Sequence, residues 1–371
     1  MTGWAEWIAG ERLQQVCSAD LDLGGAGIVC PLDDFGVLKI SGEDAEDFLH
    51  NQASNDLREL GAGEARLAAL CNPKGRMYCS FLAFGGRAAG GAWYLQMPRE
   101  RVAPVMKRLS MFVLRAKVEL SDVSDELPGF GVIGAAANEM PERAAGAASA
   151  VSAASAADAA GANMDAGTAG AAGKAVAGAG AAVMAFKTPG IQPRAAVYAD
   201  GETLIELWRG AVQKGCRAMT CDAWRCCDIQ SGIAHVSDAT SEELVPQMAN
   251  MDLLGGVSFS KGCYPGQEIV ARTHYLGKLK RRTYLFSSDG RDVAAGAPVF
   301  SDRQTEPCGQ VVDFCPLPDG PSPGLAMLRM AAAGDTLHIG APDGATLSIG
   351  AQPYEISAKS HNPEDPNETI D

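Results

Sequence analysis

LLGGVSFSKGCYPGQEIVAR, residues 253–272, runs from a Gly-Gly pair through a short apolar stretch into Lys261, Cys263, a Tyr-Pro-Gly turn cluster and an acid. The order predicts a strand, a turn and then a helix, with Pro265 at a helix-start position where its missing N–H costs nothing. On that reading Cys263 stands at or just before a helix N-terminus, beside Lys261. The helix dipole and the neighbouring ammonium both favour a thiolate. A free thiol titrates near pH ~8.5, so even a modest downward shift leaves it largely ionised at neutral pH. The same residues also allow a plainer arrangement, in which Gly262, Pro265 and Gly266 make a tight turn and Cys263 is a small filler. Local chemistry leaves the two open.

Outward from this stretch, the texture of the chain changes on both sides. Downstream, short β-rich runs (RTYLF, APVF, CGQVVDF, GLAMLRM, DTLHIG, ATLSIG) alternate with Gly, Pro and Asp turns. Such spacing predicts a small, separate β-barrel or sandwich over 279–357, followed by a disordered tail at 358–371. Upstream, 186–278 reads as a strand (RAAVYA) and a helix (DGETLIELWRGAVQKG) closing at Gly215. TCDAWRCCDIQSG makes a second helix, with Thr220 as its N-cap and Gly232 past its end. Residues 1–141 read as α+β. Strand-like residues flank the Asp33-Asp34 turn. A helix starts at Ser41, with Asp44 three residues on. Three runs (ARLAALC, RMYCSFLAF, AWYLQM) resemble an antiparallel sheet, and PRERVAPVMKRLSMF turns Val102, Val105, Met106 and Leu109 inward. Between these parts, 142–185 is dominated by Ala and Gly. Its glycines cost about 1 kcal/mol each in a helix, and its small side chains bury too little area to offset chain entropy. It reads as a flexible insertion, to which no function is assigned.

The 371 residues carry 31 Lys and Arg against 45 Asp and Glu, a formal charge of −14. That balance argues against a broad nucleic-acid-binding face, which needs clustered cations. The exception is the run Lys278, Lys280, Arg281 and Arg282, a solvated charge run or an anion site. The N-terminus lacks the marks of a signal peptide, and no apolar run is long enough to span a bilayer. The eleven cysteines then read as reduced thiols in the cytoplasm. Cys216, Cys221, Cys226 and Cys227 crowd together without a C-x-x-C pair, so no metal site is expected. His50 and His235 read as surface or satisfied core residues. Dinucleotide, phosphate-loop and G-x-S-x-G motifs are absent. Aromatic residues are sparse, which marks Phe35, Trp208 and Trp224 as candidate stacking faces for a planar ligand.

The K-G-C-Y-x-G-Q-E motif within residues 253–272 closely resembles the signature of the YgfZ family. These are folate-binding proteins related to the aminomethyltransferase (T-protein) of the glycine cleavage system. LDDFGVLKISGEDAEDFLHNQASNDL (32–57), CNPKGRMYCSFLAF (71–84) and the segment from Trp224 to Gly256 resemble further parts of that family, in order. The resemblance implies three modules around a central hole that holds tetrahydrofolate. It implies Phe35 and Trp224 as aromatics against the pterin, and Lys261, Cys263, Gly266, Gln267 and Glu268 as the functional motif. Cys263 is then a candidate thiolate facing the folate, and Lys261 either lowers its pKa or meets an anionic folate tail. The basic run at 278–282 would receive polyglutamate.

The aminomethyltransferases carry an Asp-Asp pair in the hairpin after N-x-x-G-G, where this chain has Cys79 and Ser80. Aminomethyl transfer is therefore not expected. The resemblance implies a tetrahydrofolate-binding accessory protein that maintains iron–sulfur enzymes and through them tRNA modification. Its partners would be those enzymes or their assembly proteins, without direct nucleic-acid or membrane contact. The alternatives are a folate-dependent one-carbon transferase using Cys263, and a non-catalytic scaffold.

Overall fold

In the computed structural model the described residues are 3–20, 27–58, 60, 61, 63–147, 183–277 and 279–357. In chain order they form α1 (Gly3–Ala9), β1 (Ile28–Pro31), β2 (Phe35–Ser41), α2 (Ala45–His50), β3 (Ala65–Cys71), β4 (Met77–Gly86) and β5 (Ala92–Pro98). Then come α3 (Arg99–Val113), β6 (Glu119–Asp122), β7 (Gly129–Ile133) and a helix over 140–147, α4. The chain continues with β8 (Met184–Lys187), β9 (Arg194–Tyr198), α5 (Gly201–Gln213), β10 (Arg217–Ala218), α6 (Asp222–Gln230) and α7 (Gln267–Leu276). Strands β11 (Arg281–Ser288), β12 (Pro298–Ser301), β13 (Gly309–Phe314), β14 (Ser322–Arg329), β15 (Leu337–Ile339) and β16 (Ala345–Ile349) complete it.

Period-two patterning builds two sheets, ordered β3-β4-β5-β2-β6 and β10-β1-β7-β9-β8. In β2, Leu38 and Ile40 join Phe81, Trp93 and Leu95 in a core with Phe48 of α2 and Val102, Val105 and Leu109 of α3. The alternate residues, Phe35 and Val37, face the other way, into the core that the two sheets share. There Phe84 of the first sheet lies 4.5 Å from Phe186 and 5.1 Å from Tyr198 of the second. The far side of the second sheet packs Trp4 of α1 and Trp208 of α5 against Phe130. The result is two sheets face to face with helices outside, a mixed α/β body. The last six strands close into a barrel, β11-β14-β13-β12-β15-β16, around Phe286, Val299, Val311 and Leu328. The α+β expectation and the C-terminal barrel are both present.

Helix ends follow local chemistry in part. Asp200 caps α5 by accepting from the Glu202 and Thr203 N–H groups, as the DGET start suggests. Elsewhere the structure corrects the reading. Ser41 ends β2 rather than capping α2, which starts after Asp44. Cys221, not Thr220, precedes α6, and Thr220 bonds Asp222 at 3.1 Å. The segment 142–185 is not featureless at its edges: α4 runs to 147, and β8 pairs with β9. Residues 148–182 and the tail at 358–371 lie outside the described residues. The thiols are not all reduced, because Cys226 and Cys315 form a disulfide between α6 and the end of β13.

Candidate functional site

A cavity of about 380 Å³ opens where three parts of the molecule meet, within the range typical of small-molecule sites. The first sheet and its α3 junction supply Asp33, Asp34, Phe35, Pro98, Arg99 and Glu100. Arg225 comes from α6, and His235 and Ser237 come from the loop after it. The barrel adds Val312 and Asp313. The wall between α6 and barrel is fastened twice. Arg225 donates to Asp313 at 2.8 Å from Nε, and the adjacent Cys226 is bonded to Cys315.

Phe35 and His235 meet edge to face in this wall, with ring centroids 5.2 Å apart. The imidazole is held by its Nε2 on Asp228 Oδ2 at 2.8 Å, and Arg194 donates to the other Asp228 oxygen at 2.6 Å. Burial alone would push the ring's pKa down. The Asp228 charge and hydrogen bond outweigh it, and the pKa is raised. Burial likewise favours the neutral form of Asp228, yet Arg194 and His235 hold its carboxyl below the usual range. The loop carrying His235 is pinned by Ser80, which donates to Ala234 O at 3.2 Å and accepts from the Val236 N–H at 3.0 Å. Ser80 and Cys79, in the hairpin positions expected to lack carboxylates, are both fully buried. Cys79 faces the α2–α3 core, where burial pushes its thiol up to about 12.

The residues singled out in the sequence do not gather at one place. Phe35 lines the cavity. Trp224 does not. The Arg194 guanidinium lies 4.9 Å from its ring, and β7 passes so close that a Cβ on Gly131 would sit 2.2 Å from it. With those contacts and 2% exposure, the indole is a core wedge. The ring that shares the cavity wall with Phe35 is His235, which the sequence reading left as surface or core.

Lys261, Cys263, Gly266, Gln267 and Glu268 lie outside the cavity lining. Lys261 points inward, donating to the carbonyls of His50 and, at 2.7 Å, Ala53, with Tyr264 beneath it. Burial lowers its pKa to about 8, with Asp56 opposing and Arg58 adding to the shift. The ammonium is thus committed to backbone oxygens. Helix α7 begins at Gln267, so Cys263 stands four residues ahead of its first turn and is exposed. The dipole argument does not reach it, since that effect fades within one turn. Gly266 has φ +82°, and a Cβ there would lie 2.4 Å from Asn72 O and 2.7 Å from Gly75 Cα. The motif's glycine therefore seats the β3–β4 hairpin directly on the start of α7. Gln267 Nε2 reaches the Lys261 carbonyl at 3.5 Å, and Glu268 is exposed.

Arg282 is also not available to an anionic tail, being fully buried in a two-point pair with Asp252 at 2.6 and 3.0 Å. Lys278 lies outside the described residues. Among the described residues, no three His, Cys, Asp or Glu side chains group to hold a metal, and no helix is long and apolar enough to cross a membrane.

Comparison with known proteins agrees with this architecture. The tRNA-modifying protein YgfZ of Cronobacter sakazakii is 30% identical over 266 residues, 71% of each chain. The chain belongs to the YgfZ family. The YgfZ protein of Klebsiella pneumoniae is 27% identical over 331 residues, 88% of this chain and 92% of that one. Among solved structures, the glycine cleavage system aminomethyltransferase T of Bartonella henselae superposes with a TM-score of 0.64 over 93% of this chain and 90% of its own, at 12% identity. That likeness establishes the shared fold of this YgfZ-family chain. No protein-family profile matches it.

Proposed function

We propose that this protein binds a tetrahydrofolate-type ligand in the three-sided cavity and serves as an accessory factor for iron–sulfur enzymes, and through them for tRNA modification. The observation that carries the reading is the cavity itself, with Phe35 in its wall and polar groups at fixed positions around it. A planar ring stacks on a phenyl face, while a small number of convergent polar side chains fix its orientation. Relatives named tRNA-modifying proteins and the aminomethyltransferase-like fold support the same direction. The buried Cys79 and Ser80 argue against aminomethyl transfer, because no carboxylate stands there to assist loss of ammonia. In this reading the partners are iron–sulfur enzymes or their assembly proteins in the cytoplasm. The exposed Cys263 belongs to their docking side rather than to the folate.

Calorimetric titration with tetrahydrofolate tests the first half. Binding that falls at least tenfold in Phe35→Ala is expected, and a protein that takes up no folate refutes it. Restoration of iron–sulfur enzyme activity in cells lacking the native gene tests the second half. Failure of the wild-type gene to restore it refutes the accessory role.

A further inference from the structure

The cavity wall shared by α6 and the barrel is closed by a covalent bond. Arg225 and Asp313 both line the cavity. One residue past Arg225 and two past Asp313, Cys226 and Cys315 form the disulfide. The register of β13 against β14 shifts between Val311 and Asp313, a bulge that re-aims side chains beside a site. The strand presenting Val312 and Asp313 to the cavity thus runs directly into Cys315. Helix α6 is anchored to the second sheet, by Trp224 against Gly131 and by Asp228 on Arg194. Elsewhere the barrel is tied down by the Arg282–Asp252 pair and by Tyr354 Oη, which donates to Gly232 O at 2.9 Å. Across the cavity wall the ion pair is Arg225 on Asp313, and its guanidinium side chain is 37% exposed. Such a pair holds weakly, which leaves the disulfide as the strong link.

The bond is also shielded. Cys226 is 2% exposed and Cys315 is fully buried. The cleft beside Cys226 and Cys227 is about 10 Å³, room for no more than one water. A thiol reductant therefore reaches the sulfurs only when α6 and the barrel separate, and that separation takes apart two walls of the cavity. Three further thiols, Cys30, Cys221 and Cys227, pack in the same core. Burial raises the pKa of each, that of Cys227 to about 12, so they stay protonated and do not exchange with the bridge. In the cytoplasm that the proposed function assumes, disulfides are characteristically transient or redox-sensing.

We propose that the Cys226–Cys315 disulfide is a redox latch on the ligand cavity. Formed, it keeps the α6–barrel wall closed on the ligand; reduced, it lets that wall open and lowers affinity. The inference rests on the folate reading and adds to it the regulation of the same site. The reductant is a dithiol. Its thiolate attacks one sulfur, the S–S bond breaks, and the other sulfur leaves as a thiolate that takes up a proton. The reductant's second thiol then resolves the mixed disulfide. The chain gains two thiols and the dithiol becomes a disulfide, two electrons and two protons having passed between them. The coupling is reciprocal. A ligand that binds only the closed wall slows reduction in turn, by about a hundredfold at a hundred times its Kd.

The probe is 5-formyltetrahydrofolate, which tolerates both air and thiols. Calorimetric titration should show at least tenfold tighter binding to the disulfide form than to protein reduced with dithiothreitol. Cys226→Ser combined with Cys315→Ser should bind as weakly as the reduced wild type and lose the redox response, whereas Cys263→Ser should keep it. Thermal melts above the titration temperature for every form exclude unfolding as the cause. On the wild type alone, saturating probe should slow the appearance of alkylatable thiols at Cys226 and Cys315 at least tenfold. Affinities within twofold in the two redox states, or a reduction rate indifferent to the probe, overturn the latch alone. A wild type that binds the probe in neither state overturns the folate reading together with it.

Discussion

Replacing Lys261 by Met should change how stability depends on pH more than it changes stability itself. The ammonium is buried and its pKa is lowered from the ordinary 10.5 to about 8. At 1.36 kcal/mol per pH unit that corresponds to roughly 3 kcal/mol by which the fold disfavours the charged form. Below pH 8 both folded and unfolded chains carry the proton, and the penalty is fully expressed. Between pH 8 and 10.5 the unfolded chain holds the proton and the folded one releases it. Stability contributed by this site therefore rises with pH across that window. Methionine keeps the length and removes the charge, but strands the His50 and Ala53 carbonyls that the ammonium satisfies. Their loss costs about 1–3 kcal/mol each, so at pH 7 the variant should be equal to the wild type or less stable by a few kcal/mol. Urea unfolding of both proteins from pH 7 to 10.5 isolates the site, because other titrating groups cancel in the difference. The wild type should gain roughly 3 kcal/mol on the variant across the window. A difference that stays flat with pH refutes the buried-ammonium account and returns Lys261 to the ligand or the thiol.

Three further outcomes follow from the geometry. Gly266→Ala must carry a Cβ into the Asn72 carbonyl at a positive φ, and should lower stability by at least ~2 kcal/mol in thermal melts, whereas Glu268→Ala on the exposed face should change it by less than ~0.5 kcal/mol. Cys226→Ser opens a link between residues 89 apart in sequence; the loop-closure estimate is a loss of about 4–5 kcal/mol, an upper figure because the denatured state keeps some structure, read by denaturant midpoint with and without reductant. Cys263→Ser should leave tetrahydrofolate affinity within twofold of wild type, since Cys263 is not in the cavity wall, and a tenfold loss in calorimetry would place the thiol at the ligand after all.

Local signals were legible where one segment decides its own structure. The Asp200 cap, the end of α5 before Gly215 and the six barrel strands are all written in short-range chemistry. Phe35 could be marked because the chain is poor in rings and because the YgfZ resemblance places an aromatic at its position. Trp224 shows the limit. It and Arg225 are neighbours on α6, and successive helical residues point about 100° apart. The reading assigned the ring to the ligand; of the two, Arg225 lines the cavity and Trp224 does not. The indole packs against Gly131, on a strand 93 positions away, where any side chain would collide with the ring. The Arg225–Asp313 pair and the carbonyls that hold Lys261 come from 88 to 211 residues off. No spacing within the motif could reveal that its lysine turns inward and its cysteine outward.

Cys263 is exposed while the other free cysteines are buried or half-buried. At neutral pH a maleimide dye should therefore attach at one position without denaturing the chain. The label would sit four residues ahead of α7, outside the cavity wall. Ligand occupancy and partner docking could then be followed in separate optical channels on a single molecule.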